Sequence, residues 1–133
     1  LYHYRNNAKS MTAAFDPHLT ETIFIPLDIL RTYFDTDKRA LFAQYQMYAA
    51  YLLQLWVRNQ ASLDCDLDRK GLRQSCARVC QNQELRALLA SVPGALPRQV
   101  AVAVRAVQQQ KPGQLYLLIK AWNLYYKLRN GRA

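Results

Sequence analysis

Apolar residues recur every three or four positions along most of this chain, the spacing that places side chains on one face of an α-helix. The pattern is strongest in residues 38–59. Its apolar positions are Leu41, Phe42, Tyr45, Tyr48, Ala49, Leu52, Leu53, Leu55 and Trp56. So wide an apolar face is typical of a helix that is surrounded by others. Residues 38–59 are therefore predicted to form the central helix of the core.

Further helices are predicted on both sides of this segment. Asp16 and Pro17 suit a helix start, and a helix over about 18–33 should be kinked or divided at Pro26, which lacks a backbone N–H. The later segments are 68–81 and 83–91, or one bent helix around Asn82, followed by 98–110 and 114–129. Val100, Val102 and Val104 alternate as in a strand, but the Ala and Gln residues between and after them favour a helix.

The first five residues follow a different pattern. Tyr2 and Tyr4 alternate with Leu1, His3 and Arg5, which is typical of a β-strand with its aromatic side chains on one face. The sequence as a whole predicts an all-α fold. It is expected to be a bundle of about five antiparallel helices with a short N-terminal β-strand.

The charge of the chain is unevenly distributed. The chain has 133 residues and a net charge of +9. Residues 85–133 contain no acidic side chain, and their basic residues are Arg86, Arg98, Arg105, Lys111, Lys120, Lys127, Arg129 and Arg132. This asymmetry predicts an anionic partner for the C-terminal part, either phospholipid or nucleic acid.

The last predicted helix combines this charge with aromatic residues. Trp and Tyr side chains next to Lys and Arg are typical of helices at a bilayer interface. The same pattern also suits packing against another protein domain. The residues predicted to face a membrane or another anionic surface are Lys120, Trp122, Lys127 and Arg129.

The sequence offers no catalytic or metal-binding residues. It contains no glycine-rich phosphate loop and no nucleophile paired with a base. The cysteines Cys65, Cys76 and Cys80 are too few for a zinc site and are interpreted as reduced thiols. Asp64-Cys65-Asp66 is interpreted as the polar start of the helix that follows, where acidic groups are favoured.

Both ends of the chain resemble a known family. Tyr2-x-Tyr4-Arg5, four further residues and Ser10-Met11 resemble the segment that closes the catalytic domain of bacterial family-2 glycosyltransferases of the GT-A type. Residues 115–118 and 122–129 are similar to the basic aromatic tail of such enzymes. The resemblance implies that residues 1–11 are the closing strand and loop of a preceding catalytic domain. Residues 12–133 would be a C-terminal helical domain.

The same resemblance implies a function. The preceding domain would bind a nucleotide-sugar through a divalent metal ion and transfer the sugar. Arg5 would bind phosphate or acceptor oxygens, and Ser10 would position the loop. The helical domain would brace the catalytic domain and engage a lipid-linked or glycan acceptor. It would act in the cytoplasm, peripherally at the anionic inner face of the membrane.

Two other functions remain open at this point. A small basic helical protein with a sequence pI of about 9.7 can bind nucleic acid, although no recognition motif is present. The broad apolar surface of the last helix also suits a protein-interaction module.

Overall fold

The structure, a computed structural model, describes residues 15–31, 39–92 and 95–131. The helices in these residues are α1 (Leu19–Thr22), α2 (Ile25–Arg31), α3 (Arg39–Gln60), α4 (Arg69–Cys80), α5 (Gln83–Leu89), α6 (Arg98–Gln108) and α7 (Pro112–Gly131). No strand occurs among the residues described, so the prediction of an all-α fold is confirmed for them. The strand predicted for residues 1–5 lies outside the described ranges.

The first predicted helix is divided in two, as the proline suggested. The division lies at Ile23 and Phe24, before Pro26 rather than at it. Pro26 is the second residue of α2, where a missing N–H costs no helical hydrogen bond. The carboxylate of Asp16 accepts a hydrogen bond from the backbone N–H of His18 at 2.9 Å, just before α1.

The central position of α3 is confirmed. Ala49, Leu53 and Trp56 are completely buried, and α3 packs against α5, α6 and α7. The Tyr45 hydroxyl donates a hydrogen bond to the carbonyl of Leu27 in α2. Because apolar residues surround α3 on most sides, this one helix joins most of the others into a single core.

Side-chain caps define the starts of α4 and α5. Asp68 accepts a hydrogen bond from the N–H of Gly71 at 2.7 Å, and Asn82 accepts one from Leu85 at 3.0 Å. The prediction that Asp64-Cys65-Asp66 opens a helix is wrong, because α4 begins at Arg69, three residues after Asp66, with Asp68 as its cap. The cap at Asn82 also resolves the choice between one bent helix and two in favour of two.

Helix α6 ends in a Schellman motif. The N–H of Lys111 donates to the carbonyl of Ala106, and that of Gln110 donates to Val107. Gln110 has a φ of 52°, the left-handed conformation that glycine usually supplies. This motif turns the chain directly into α7.

Replacing Gln110 with glycine should stabilise the protein. Removing the Cβ from a left-handed residue should raise the free energy of unfolding by about 1 kcal/mol and the Tm by about 3 °C. Thermal unfolding followed by circular dichroism measures both. The control is Gln110→Ala, which keeps the Cβ and should not stabilise. An unchanged Tm for Gln110→Gly would contradict the strain assigned to this position.

Candidate functional site

Helix α7 carries the candidate site. The buried inner face of this helix holds the helix in its place in the fold. Leu115 and Ile119 are almost completely buried, and the helix packs against α4, α6 and α3. The side-chain amide of Asn123 donates a hydrogen bond to the carbonyl of Ala61, at the end of α3, at 3.0 Å. The inner face therefore holds α7 in one orientation, which determines what its other faces present.

The outer face of α7 is an apolar stripe that no described residue covers. Leu117, Leu124 and Leu128 are 67%, 57% and 56% exposed, and Ala121 is exposed among them. These positions are separated by three or four residues, so they lie along one side of the helix. We call these four residues the outer stripe. An exposed row of leucines on a helix that is already anchored by its opposite face marks an interaction surface.

Cations from two helices gather beside the outer stripe around Tyr116. The Arg69 side chain donates to the Tyr116 hydroxyl at 3.4 Å. The Arg73 guanidinium lies 4.7 Å from the centre of the Tyr116 ring, and the Lys120 ammonium lies 6.0 Å from it. The Arg69 hydrogen bond lowers the pKa of the Tyr116 hydroxyl, and the neighbouring positive charges act in the same direction.

Lys127 extends this group along α7. It lies seven residues, or about two turns, after Lys120 and thus on the same side of the helix. Both lysines are exposed, as are Arg69 and Arg73. We call Arg69, Arg73, Lys120 and Lys127 the cationic flank. It borders the outer stripe on one side.

A groove lies on the other side of the outer stripe. It has a volume of about 690 Å³ between α7, α3 and α6. Trp122, Tyr125 and Tyr126 form an aromatic wall, with ring centres 5.6 to 5.9 Å apart. The Trp122 and Tyr125 rings meet almost at right angles, at 89°, which is a favourable geometry for an aromatic pair.

Two arginines line the same groove. Arg58 comes from α3 and Arg129 from α7. Asp64 shares a neighbouring cavity of about 480 Å³ with both of them, but neither arginine forms an ion pair with it or with any other described carboxylate. Gln99 of α6 contributes a side-chain amide to the lining. We call this site, with its aromatic wall and two arginines, the aromatic groove.

The predicted surface residues thus fall into two groups. Lys120 and Lys127 belong to the cationic flank, whereas Trp122 and Arg129 line the aromatic groove. Arg5 and Ser10 lie outside the described residues. Sequence reasoning missed the participants from other helices, which are Arg58, Arg69, Arg73 and Gln99. No sequence signal identifies them, because each is an ordinary polar residue of another amphipathic helix.

The three cysteines form no site in the structure. All are free thiols, and Cys76 and Cys80 are buried. Burial raises the pKa of Cys76 to about 12 and that of Cys80 to about 11. Such thiols remain protonated at neutral pH and are poor nucleophiles. Within the described ranges, no three His, Cys, Asp or Glu side chains are grouped so that they can bind a metal ion.

None of the helices described is both long enough and apolar enough to cross a bilayer. Comparison with models of known protein families, with curated proteins and with solved structures gave no match.

Proposed function

We propose that residues 12–133 are an accessory helical domain that binds an anionic membrane surface through α7, in the service of a glycosyltransferase. The observation that carries the membrane part is the outer stripe itself. It is a row of exposed leucines bordered by the cationic flank, on a helix without acidic side chains. Interfacial helices have this combination, with apolar residues in the acyl boundary and cations among the headgroups.

The cationic flank and the outer stripe can each contribute enough free energy to favour membrane binding. Each Lys or Arg near an anionic leaflet contributes about 1 kcal/mol, and the cationic flank has four of them. Leucine side chains that enter the acyl boundary add the hydrophobic contribution of their exposed area. The sum supports reversible binding, which suits an enzyme that must move between acceptor molecules at a membrane.

The glycosyltransferase part of the proposal is supported by the resemblance at the two ends of the chain. In this proposal residues 1–11 form the closing strand and loop of a catalytic domain, with Arg5 and Ser10 at its acceptor side. A divalent metal ion and a nucleotide-sugar would bind in that domain. The helices would then place the active site at the inner face of the membrane, where lipid-linked acceptors lie.

Determining the coding sequence upstream of Leu1 tests this part. A preceding domain of alternating strands and helices with an Asp-x-Asp motif would support it. A start codon at or just before Leu1 would contradict it, and the membrane-binding part would then stand by itself.

Neutralising the lysines of the cationic flank tests the membrane part. Lys120→Gln with Lys127→Gln removes two charges at about 1 kcal/mol each. The affinity of the whole chain for phosphatidylglycerol-containing vesicles should therefore fall about thirtyfold. Vesicle sedimentation measures this affinity, and binding to pure phosphatidylcholine vesicles should be much weaker for all variants.

The matched control is Arg105→Gln with Lys111→Gln. It removes the same charge from exposed residues at the end of α6 and just beyond it, so it separates local from net charge. Equal losses of vesicle affinity in both double variants would show that only net charge matters, and would contradict a specific docking face. Salt-sensitive oligonucleotide binding at vesicle-like affinity, abolished by the same lysine changes, would favour the nucleic-acid alternative instead.

A further inference from the structure

The aromatic groove has chemistry that a membrane surface does not require. The outer stripe and the cationic flank are sufficient to contact a flat bilayer, and this contact requires no concave site. The groove lies on the side of the stripe opposite the cationic flank. It is open to solvent and has a volume of about 690 Å³, within the usual range of small-molecule sites. Its polar and aromatic groups come from three helices that the core holds in place. It therefore has to be considered separately, as a ligand site.

The two arginines define the charge of such a ligand. Arg58 and Arg129 both line the groove and both are exposed, so their guanidinium groups are available to an incoming anion. No described carboxylate pairs with either of them, not even Asp64 in the neighbouring cavity. Guanidinium groups match the geometry of phosphate oxygens and donate two parallel hydrogen bonds to them. A phosphate group is therefore an anion that these two arginines can bind.

The aromatic wall defines what is attached to this phosphate. Tyr125 is 51% exposed, and Trp122 is partly buried at the base of the wall. A ring that lies against these side chains removes apolar area from water and gains dispersion contacts. Gln99 can donate to or accept from a hydroxyl or a carbonyl of that ring.

We propose that the aromatic groove binds a phosphate ester that carries a ring, with the phosphate held by Arg58 and Arg129 and the ring against Trp122 and Tyr125. The ring is either the sugar of a glycosyl phosphate or the base of a nucleotide. Both ligands carry a phosphate next to a ring whose face can lie against an aromatic side chain. The site adjoins the outer stripe at Ala121, which lines the groove, but it shares no residue with the cationic flank and does not rest on the glycosyltransferase resemblance.

Titration of the whole chain with four compounds tests the proposal. The ring-bearing probes are uridine monophosphate and glucose 1-phosphate, and the ringless probes are glycerol phosphate and inorganic phosphate. Isothermal titration should give saturable binding for at least one ring-bearing probe, at least tenfold tighter than for glycerol phosphate. The tighter of the two ring-bearing probes identifies the ring. Equal affinity for ringless and ring-bearing probes, or no saturable binding at all, overturns the proposal.

Substitutions locate the bound ligand. Arg58→Gln and Arg129→Gln should each weaken binding about tenfold, because each removes charge-assisted hydrogen bonds to the phosphate. Arg105→Gln is the control, since it removes an exposed arginine of α6 that does not line the groove. If Arg105→Gln weakens binding as much as the groove variants do, the compounds bind by general electrostatic attraction and the site is wrongly placed.

Trp122 provides a second readout that does not depend on the arginines. The other tryptophan, Trp56, is completely buried in the core, so a ligand in the groove should change the fluorescence of Trp122 alone. In Trp122→Phe the fluorescence change should be lost, and calorimetry should show weaker binding, because the smaller ring offers less area to the ligand. A fluorescence change that persists in Trp122→Phe would place the ligand elsewhere. Lys120→Gln with Lys127→Gln should leave ligand binding intact, which separates the failure of this site from the failure of the membrane proposal.

Discussion

Trp56→Ala should destabilise the protein by about 3–5 kcal/mol, the largest effect expected of any single substitution in the described residues. The Trp56 side chain lies near the C-terminal end of α3 and is completely buried. Its removal leaves a large cavity that the surrounding helices cannot fill without losing their own contacts. Domains of this size have a total stability of about 5–15 kcal/mol, so the variant should lose a large fraction of its stability.

A polar contribution adds to this loss. The indole N–H of Trp56 donates to the Thr20 hydroxyl at 2.9 Å, which links α3 to α1. Trp56→Phe keeps most of the apolar volume and removes only the donor, so it should cost about 1–2 kcal/mol. Thr20→Val removes the acceptor with little change in shape.

Urea unfolding of Trp56→Phe, of Thr20→Val and of the double variant gives the coupling energy between Trp56 and Thr20. We expect Trp56→Ala to lower the urea midpoint far more than Trp56→Phe does. A loss below about 1 kcal/mol for Trp56→Ala would mean that Trp56 is not the centre of the core. Additive effects of Trp56→Phe and Thr20→Val would show that the hydrogen bond contributes nothing to stability.

Replacing the leucines of the outer stripe should abolish most membrane binding. In the triple variant Leu117→Gln, Leu124→Gln and Leu128→Gln, the side chains that enter the acyl boundary become polar. With about 1 kcal/mol lost for each partly inserted leucine, vesicle affinity should fall at least about a hundredfold. The cationic flank remains in this variant, so the loss reports on the apolar contribution alone.

Stability should change little in this triple variant, because the three leucines are more than half exposed. The control is Ile25→Gln, Ile29→Gln and Val102→Gln, which alters exposed apolar residues away from α7. Vesicle sedimentation and thermal unfolding are measured for both triple variants. If the control loses as much affinity as the stripe variant, binding follows general surface hydrophobicity and the outer stripe has no special role. Unimpaired vesicle binding in the stripe variant would contradict the membrane proposal directly.

The helical parts of the fold followed from local rules. The spacing of apolar residues placed α3 within one residue at either end, and the same rule gave α4, α6 and α7 to within two residues. Pro26 predicted a division of the first helix but not its position. The helix predicted over 68–81 does begin at the Asp68 cap, whereas the acidic triplet at 64–66 lies before this helix and does not open it. Local patterns identify that a helix is present more firmly than where it begins, because several residues near each end can cap it.

The candidate sites followed from the sequence only in part. Composition predicted an anionic partner for the C-terminal part, and the pattern of α7 selected Lys120, Trp122, Lys127 and Arg129 as its candidate residues. The pattern could not assign these four residues to the two sides of the helix, because the sequence alone does not show which face of α7 is buried. That face is fixed by the packing of Leu115 and Ile119 on the neighbouring helices.

By itself, then, the sequence determined the helices, the central place of α3 and the positive charge of the C-terminal part. Periodicity and charge are patterns of a few neighbouring residues, so they can be recognised in a single sequence. Only the tertiary structure decided that Arg69 and Arg73 join Lys120 around Tyr116, and that Arg58 faces the same groove as Arg129. These partners lie more than forty residues apart in the sequence. Packing of the buried faces brings them together, and no local pattern encodes which exposed side chains then become neighbours.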